Sequence, residues 1–252
     1  MKKLFPVMYD LPERTMSVAG LIYGIIGFYT LPFLALFFSG GFVESADLSW
    51  FEFAYHLVNF CVAIWLFKSY LKDSWFNVQC NVKSFCITVA VCAGFMILYT
   101  TIMLFITFVF RIEEMLFAAG GTLPLVEIEL FNLSANLVAV NPIGGLLCTV
   151  VLTPVTMSCI YYASGFAQVC SNRPWLAYIV ITVVLAVPRA LSALTFWSPS
   201  QNLILYLVQL PLHWIACYAY QKADTVWAPI LTLAVANTVS SLFYLLLTAL
   251  LS

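Results

Sequence analysis

Charge is scarce in this chain: ten Lys or Arg and eleven Asp or Glu occur among 252 residues, for a net charge of −1. The scarcity is uneven, since residues 84–110, 130–172 and 225–252 contain no Asp, Glu, Lys or Arg at all. Water gives no reason for such stretches, whereas a hydrocarbon layer about 30 Å thick requires about 20 apolar residues for each helical crossing. A near-zero net charge without a basic stripe also removes the electrostatic footprint of a nucleic-acid binder, so no nucleic-acid partner is expected. Histidine occurs only at His56 and His213. No HExxH, GxSxG or Ser-His-Asp order is present, which excludes the common zinc-hydrolase and serine-hydrolase signatures.

Cysteine is present eight times without a single CxxC pair, and most of these residues fall inside apolar runs, where Cys acts as a small hydrophobe. They read as unpaired thiols. The Gly120-Gly121 and Gly144-Gly145 pairs lack the spacing of a phosphate loop. His213 and Cys217 are four apart, yet two ligands do not make a zinc site, and neither a metal nor a cofactor is expected. Glu113-Glu114 beside Arg111 reads as a solvated rim at a helix end.

What the chain has in abundance is apolar surface: 63% hydrophobic and 16% aromatic residues, more than one soluble core of this size can bury. The fold class is all-α, a polytopic transmembrane bundle of about seven crossings. Charge clusters and Pro, Gly, Asn or Asp turns divide it at roughly 16–39, 52–70, 84–110, 142–168, 174–197, 202–221 and 225–251. In the second, Glu52 and Lys68 bound the apolar run and must reach toward the headgroups. Residues 125–140 place Glu129, Asn132 and Asn136 at helical spacing opposite Leu and Val, the pattern of an interfacial amphipathic helix.

With a cytoplasmic N-terminus, the inner segments hold Lys2, Lys3, Arg14, Lys68, Lys72, Lys83, Arg173 and Lys222, and the outer ones only Arg111. That bias orients the protein in the cell (plasma) membrane with its C-terminus outside. Within the crossings one formal charge stands alone, Arg189, in VVLAVPRALSAL. Two readings stand: it snorkels outward, since eight residues or roughly 12 Å separate it from Trp197, or it occupies a polar interior site. Pro188 removes a backbone donor just before it and frees carbonyl groups in the preceding turn; Pro154 does the same in the fourth helix.

Residues 141–252 resemble, in order, the core of the CAAX-protease and bacteriocin-processing (CPBP) family of intramembrane proteases. The last motif carries the likeness most closely: Trp227-Ala-Pro-Ile-Leu-Thr-Leu-Ala-Val-Ala-Asn237 matches W-x-P-I-L-x-H-x-x-x-N with Leu233 in place of His. Pro154 of PVTMSCIYY matches the Pro that precedes EExxxR, but Met157 and Ser158 replace the two Glu and Tyr162 the Arg. Leu185-Ala-Val-Pro-Arg189 corresponds to FxxxH, with Arg189 where the His falls. The resemblance divides the chain into N-terminal membrane helices and an amphipathic segment, 1–140, and a CPBP-like core, 141–252, in one membrane-embedded unit.

In that family the Glu pair and two His are thought to activate a water that attacks a peptide bond, with the Asn as a stabiliser of the developing oxyanion. Met157, Ser158, Leu233 and an Arg cannot accept a proton at neutral pH, and among these positions only Asn237 keeps the family's residue. The resemblance thus implies a catalytically inactive scaffold that binds a hydrophobic or lipidated peptide, or a membrane-protein partner, within the lipid bilayer. Two alternatives are an active endopeptidase recruiting His56, His213, Glu113 or Glu114, and a small transporter subunit in which Arg189 holds an anion. The absence of inverted repeats counts against the transporter.

Overall fold

The structure, a computed structural model, describes residues 8–24, 26, 45–117, 142–195 and 199–251, with side chains placed at 8–24, 26, 50, 53–103, 105, 143–185 and 210–242. The described residues are helical apart from short turns and the segment 8–13, and no strand occurs among them. We number the helices α1 (14–24), α2 (Ser45–Cys80), α3 (Val82–Phe117), α4 (142–170), α5 (Pro174–Thr195), α6 (Pro199–Ala223) and α7 (Trp227–Leu251). Each overlaps one of the stretches divided from the sequence at charge clusters and turns.

Their ends differ from the expected ones. α2 passes through both Glu52 and Lys68 and continues to Cys80, rather than occupying 52–70. A charge ends an apolar run, but Glu, Lys and Gln are good helix formers, and the backbone stops only where Asn81 makes a turn. α3 likewise runs past Phe110 to Phe117. The first helix is described over 14–24 where 16–39 was expected, and the amphipathic helix expected at 125–140 lies outside the described residues.

α4 is the axis of the bundle. Every residue from Leu152 to Ala167 is buried, which no amphipathic helix could achieve; the stretch is apolar or small on all sides, as an enclosed helix must be. α1, α2, α5, α6 and α7 pack around it, and α3 lies farther out against α6 and α7. α7 covers the first half of α4, and α5 the second half. The core draws residues from both sides of position 140, including Phe67, Met96, Tyr161, Ile181, Tyr220 and Leu233.

Two local devices allow the close fit. Pro154 has no N–H to donate, and on either side of its turn the backbone widens into π-helix, at Cys148–Leu152 and Ser158–Ala167. The wider register shows in individual bonds: the Thr153 N–H reaches the carbonyl of Cys148, and Ser164 Oγ donates to the Cys159 carbonyl at 3.1 Å. On the facing helix, Gly20 and Gly24 let α1 approach until a β-carbon at Gly20 would sit 2.2 Å from Ser164 Oγ, and one at Gly24 2.8 Å from Ile160 Cγ2. This is the small-xxx-small contact of closely packed helices, unmarked in the reading of the sequence.

Val82–Met103 and Ile143–Cys170 are long and apolar enough to cross a membrane; the first is 33% buried and the second 72%. The first therefore exposes a continuous apolar stripe, Ile87, Val91, Phe95, Leu98, Ile102 and Phe105. α7 does the same with Leu231, Val235, Val239 and Leu242.

All eight cysteines are free thiols; Cys61, Cys80 and Cys86 are exposed and Cys92, Cys148, Cys159, Cys170 and Cys217 are buried. Maleimide labelling of the folded protein in detergent, read by mass spectrometry, should modify Cys80 and Cys86 rapidly and the three thiols of α4 only after denaturation. Labelling of Cys159 at the rate of Cys80 would contradict the enclosed position of α4.

Candidate functional site

Five of the six positions picked out by the family resemblance lie on two helices, Met157, Ser158 and Tyr162 on α4 and Leu233 and Asn237 on α7, spread along the bundle and not gathered at one level. Met157 and Ser158 sit at the junction between the Thr153–Met157 turn and the second π segment, and both are buried. Met157, Tyr162 and Leu233 share one hydrophobic core. Asn237 is 3% exposed, and its Nδ2 donates to the Thr149 carbonyl at 2.7 Å. That bond sets the register of two antiparallel helices: four residues back along α7, Leu233 comes roughly level with Thr153 at a rise of about 1.5 Å per residue. The sixth position, Arg189, is on the helical backbone of α5, and its side chain lies outside the described residues.

Both histidines turn toward α4. The Tyr162 hydroxyl and His213 Nδ1 form a 2.7 Å hydrogen bond, reinforced by an edge-on ring contact at 6.2 Å. Thr153 Oγ1 and His56 Nδ1 are 3.4 Å apart. Their contacts on α4 lie nine residues from one another, roughly 13 Å along a helix axis, too far for the two imidazoles to act on one water. Among the described residues no group of three or more His, Cys, Asp or Glu side chains gathers in metal-binding geometry. The carboxylates with described side chains, Asp10, Glu13, Asp73 and Asp224, all lie at one end of the bundle. Glu113 and Glu114 are on the last turns of α3 with side chains outside the described residues.

The interior nevertheless keeps hydrogen-bonding capacity in reserve. Ser158 Oγ, Thr232 Oγ1, Asn237 Oδ1 and Ser241 Oγ are buried without a hydrogen-bond partner among the described residues. Asn237 is thus part satisfied, one amide hydrogen used on the Thr149 carbonyl of α4 and its carbonyl oxygen spare. An unmet buried polar group costs about 1–3 kcal/mol, so four of them along α4 and α7 mark a place where packing alone does not determine the residue types.

A second polar cluster, not foreseen from the sequence, closes the end of the bundle. The extended segment 8–13 crosses it as a strap, with Met8 inserted into the core. Asp224 Oδ1 accepts from the backbone N–H groups of Tyr9 at 2.8 Å and Asp10 at 3.0 Å. Asp224 follows the last residue of α6 in the left-handed region, φ 50°, where Asp is among the few side chains tolerated. Asp10 in turn accepts from Ser74 Oγ and from the Tyr70 hydroxyl, which meets the hydroxyl of Tyr220. Ser74 and Thr225 are joined by hydroxyl contact at 2.9 Å, and Gln168 Nε2 donates to the Pro12 carbonyl and to Ser17 Oγ. The network thereby ties α1, α2, α4 and the α6–α7 turn to a single strap. Burial pushes the Asp10 carboxyl up to about 6; the neighbouring Asp224 adds to the rise, and the hydroxyls of Ser74 and Tyr70 oppose it.

Compared with family models, with curated proteins and with solved structures, the chain matches none.

An acid whose folded value lies above its ordinary 3.8 binds its proton more tightly folded than unfolded, so it adds stability as pH falls from about 6 toward 3.8 and loses it as pH rises through that window. Asp10→Asn, which keeps the shape and removes the buried charge, should raise the melting midpoint at neutral pH and flatten its rise on acidification. A pH profile identical to wild type would show that Asp10 titrates normally.

Proposed function

We propose that this chain is an integral membrane protein of about seven crossings, built on a CPBP-protease-like scaffold without its proton-accepting residues, and that it binds a hydrophobic or lipidated peptide or a membrane-protein partner without cleaving it. The observation that carries this reading is the part-satisfied Asn237. It is the position at which the family motif is retained, it is buried at the α4–α7 interface, and its Oδ1 lacks a partner among the described residues. An amide oxygen of that kind accepts an N–H from a bound peptide backbone. Ser158, where the family has a Glu, adds a spare hydroxyl on α4 that donates or accepts but takes no proton at neutral pH.

Membrane residence is supported by the outward faces. Apolar stripes on α3 and α7, with Trp175, Ile179 and Val183 on α5, surround the bundle with more exposed apolar surface than a water-soluble monomer carries. Lipid is the solvent that tolerates it. Arg14, Lys68, Lys72, Lys83, Arg173 and Lys222, all exposed, belong to the end closed by the strap, and the positive-inside bias assigns that end to the cytoplasm. Asp10 is held by Ser74 and Tyr70 at the bundle end, and His56 and His213 contact α4 nine residues apart, so the paired proton acceptors of the family's mechanism have no counterpart among the described residues.

Purified protein in detergent, titrated with a fluorescent prenylated peptide and with an unmodified apolar peptide, should bind without producing fragments. Asn237→Leu, which removes both ends of the amide, should weaken binding about tenfold, the worth of one buried hydrogen bond, and also lower the melting midpoint because the Thr149 carbonyl loses its donor. Cleavage lost on Asn237→Leu or Tyr162→Phe would identify an enzyme instead, and absence of binding to either peptide would refute the reading.

A further inference from the structure

The polar groups at the strap end are sorted by sign. Asp10 and Asp224 turn inward, onto Ser74 and Tyr70 in one case and the strap's backbone N–H groups in the other. The cations turn outward: Arg14, Lys68, Lys72, Arg173 and Lys222 are all exposed. Their common level is fixed by the network itself. Lys72 lies between Tyr70 and Ser74, Lys222 between Tyr220 and Asp224, and Arg14 between Pro12 and Ser17, each of these flanking residues being hydrogen-bonded at the bundle end. Arg173 follows one turn after Gln168. Against these five cations stand two exposed acids at the same end, Glu13 and Asp73.

Aromatic rings accompany them. Trp65 is 79% exposed one turn before Lys68, Phe76 is 65% exposed one turn after Lys72, and Trp175 is 61% exposed two residues after Arg173. Lys68, Lys72 and Phe76 are four apart and therefore share a face of α2. Trp65 and Trp175 lie on the apolar side of the cations, where their rings enter lipid while the cations remain in the headgroup layer, the arrangement of a membrane–water interface; Phe76 lies on the turn side of Lys72.

We propose that this ring of outward cations is a binding surface for the phosphate headgroups of anionic phospholipids in the leaflet it faces. The inference rests on the membrane reading above and goes beyond it. Inward capture of Asp10 and Asp224 leaves the rim net positive, a phosphate diester supplies the complementary charge, and the neighbouring rings pack against the attached glycerol and acyl chains. The strap network holds Arg14, Lys72 and Lys222 near one depth, and Lys68, one turn or roughly 6 Å farther along α2, reaches the same layer with its long side chain.

The test reconstitutes the whole protein into bilayers containing equal amounts of phosphatidylglycerol and phosphatidylcholine, and counts the lipids that remain bound by native mass spectrometry. Stable incorporation is scored first. Incorporated wild-type protein should retain phosphatidylglycerol over phosphatidylcholine about tenfold, and about 0.5 M salt should reduce the preference. Replacing Lys68, Lys72 and Lys222 with Gln, all at exposed positions, should abolish it without altering the melting midpoint. Equal retention of the two lipids, a preference unchanged in the triple variant, or displacement of bound lipid by free glycerol phosphate at comparable concentration would overturn the proposal while leaving the membrane reading intact. Failure to incorporate would overturn both.

Discussion

The enclosure of α4 is the constraint from which the rest of the bundle follows. A helix covered on all sides cannot satisfy a lost backbone donor with water, so the gap left by Pro154 is absorbed internally, by widening into π-turns on both sides. Enclosure also demands close neighbours. α1 reaches its contact with Ser164 and Ile160 only because Gly20 and Gly24 carry no side chain. α7 is held in register by Asn237 on the Thr149 carbonyl, and α6 by His213 on the Tyr162 hydroxyl. α1, α6 and α7 thus touch α4 through a small or polar residue, and α5 through the edge-on contact of Tyr178 with Phe166.

The positions of the helices were legible in the sequence and their ends were not, for a physical reason. Absence of charge reports where a segment avoids water; it says nothing of where the backbone stops being helical. α2 shows the difference, since it carries Glu52, Lys68, Lys72 and Asp73 within one uninterrupted helix. The π-turns were equally hidden, because Pro154 announces a missing donor but not how the chain compensates. The strap network joins residues more than 200 apart in sequence, such as Asp10 and Asp224, and no local periodicity encodes a pairing of that separation. Polar residues clustered near the ends of several apolar runs were its only trace.

At the candidate site the sequence was informative where residue identity decides chemistry. Met157, Ser158 and Leu233 cannot serve as bases wherever they are placed, and their burial in one interior with Tyr162 leaves that chemical limit in force. What could not be read was pairing. His213 reads from the sequence as a hydrogen-bonded structural imidazole and not a metal ligand, but its partner, Tyr162, depends on α6 packing against the π segment of α4. The interior and the bundle end consequently have different characters: one holds spare neutral hydrogen-bonding groups, and the other has acids turned in and cations turned out.

The enclosure of α4 within an apolar outer shell, proposed to face lipid, is tested most directly by a hydrophobic diazirine dissolved in the bilayer, photolysed to a carbene that inserts into whatever side chains lipid touches. Mapped by mass spectrometry in the native membrane, adducts should fall on the outward stripes of α3 and α7, at residues such as Val91, Phe95, Leu98, Val235 and Val239, and be absent from Leu152 to Ala167. Insertion into that segment of α4 as frequent as into α3 would contradict the enclosed helix and the site built around it.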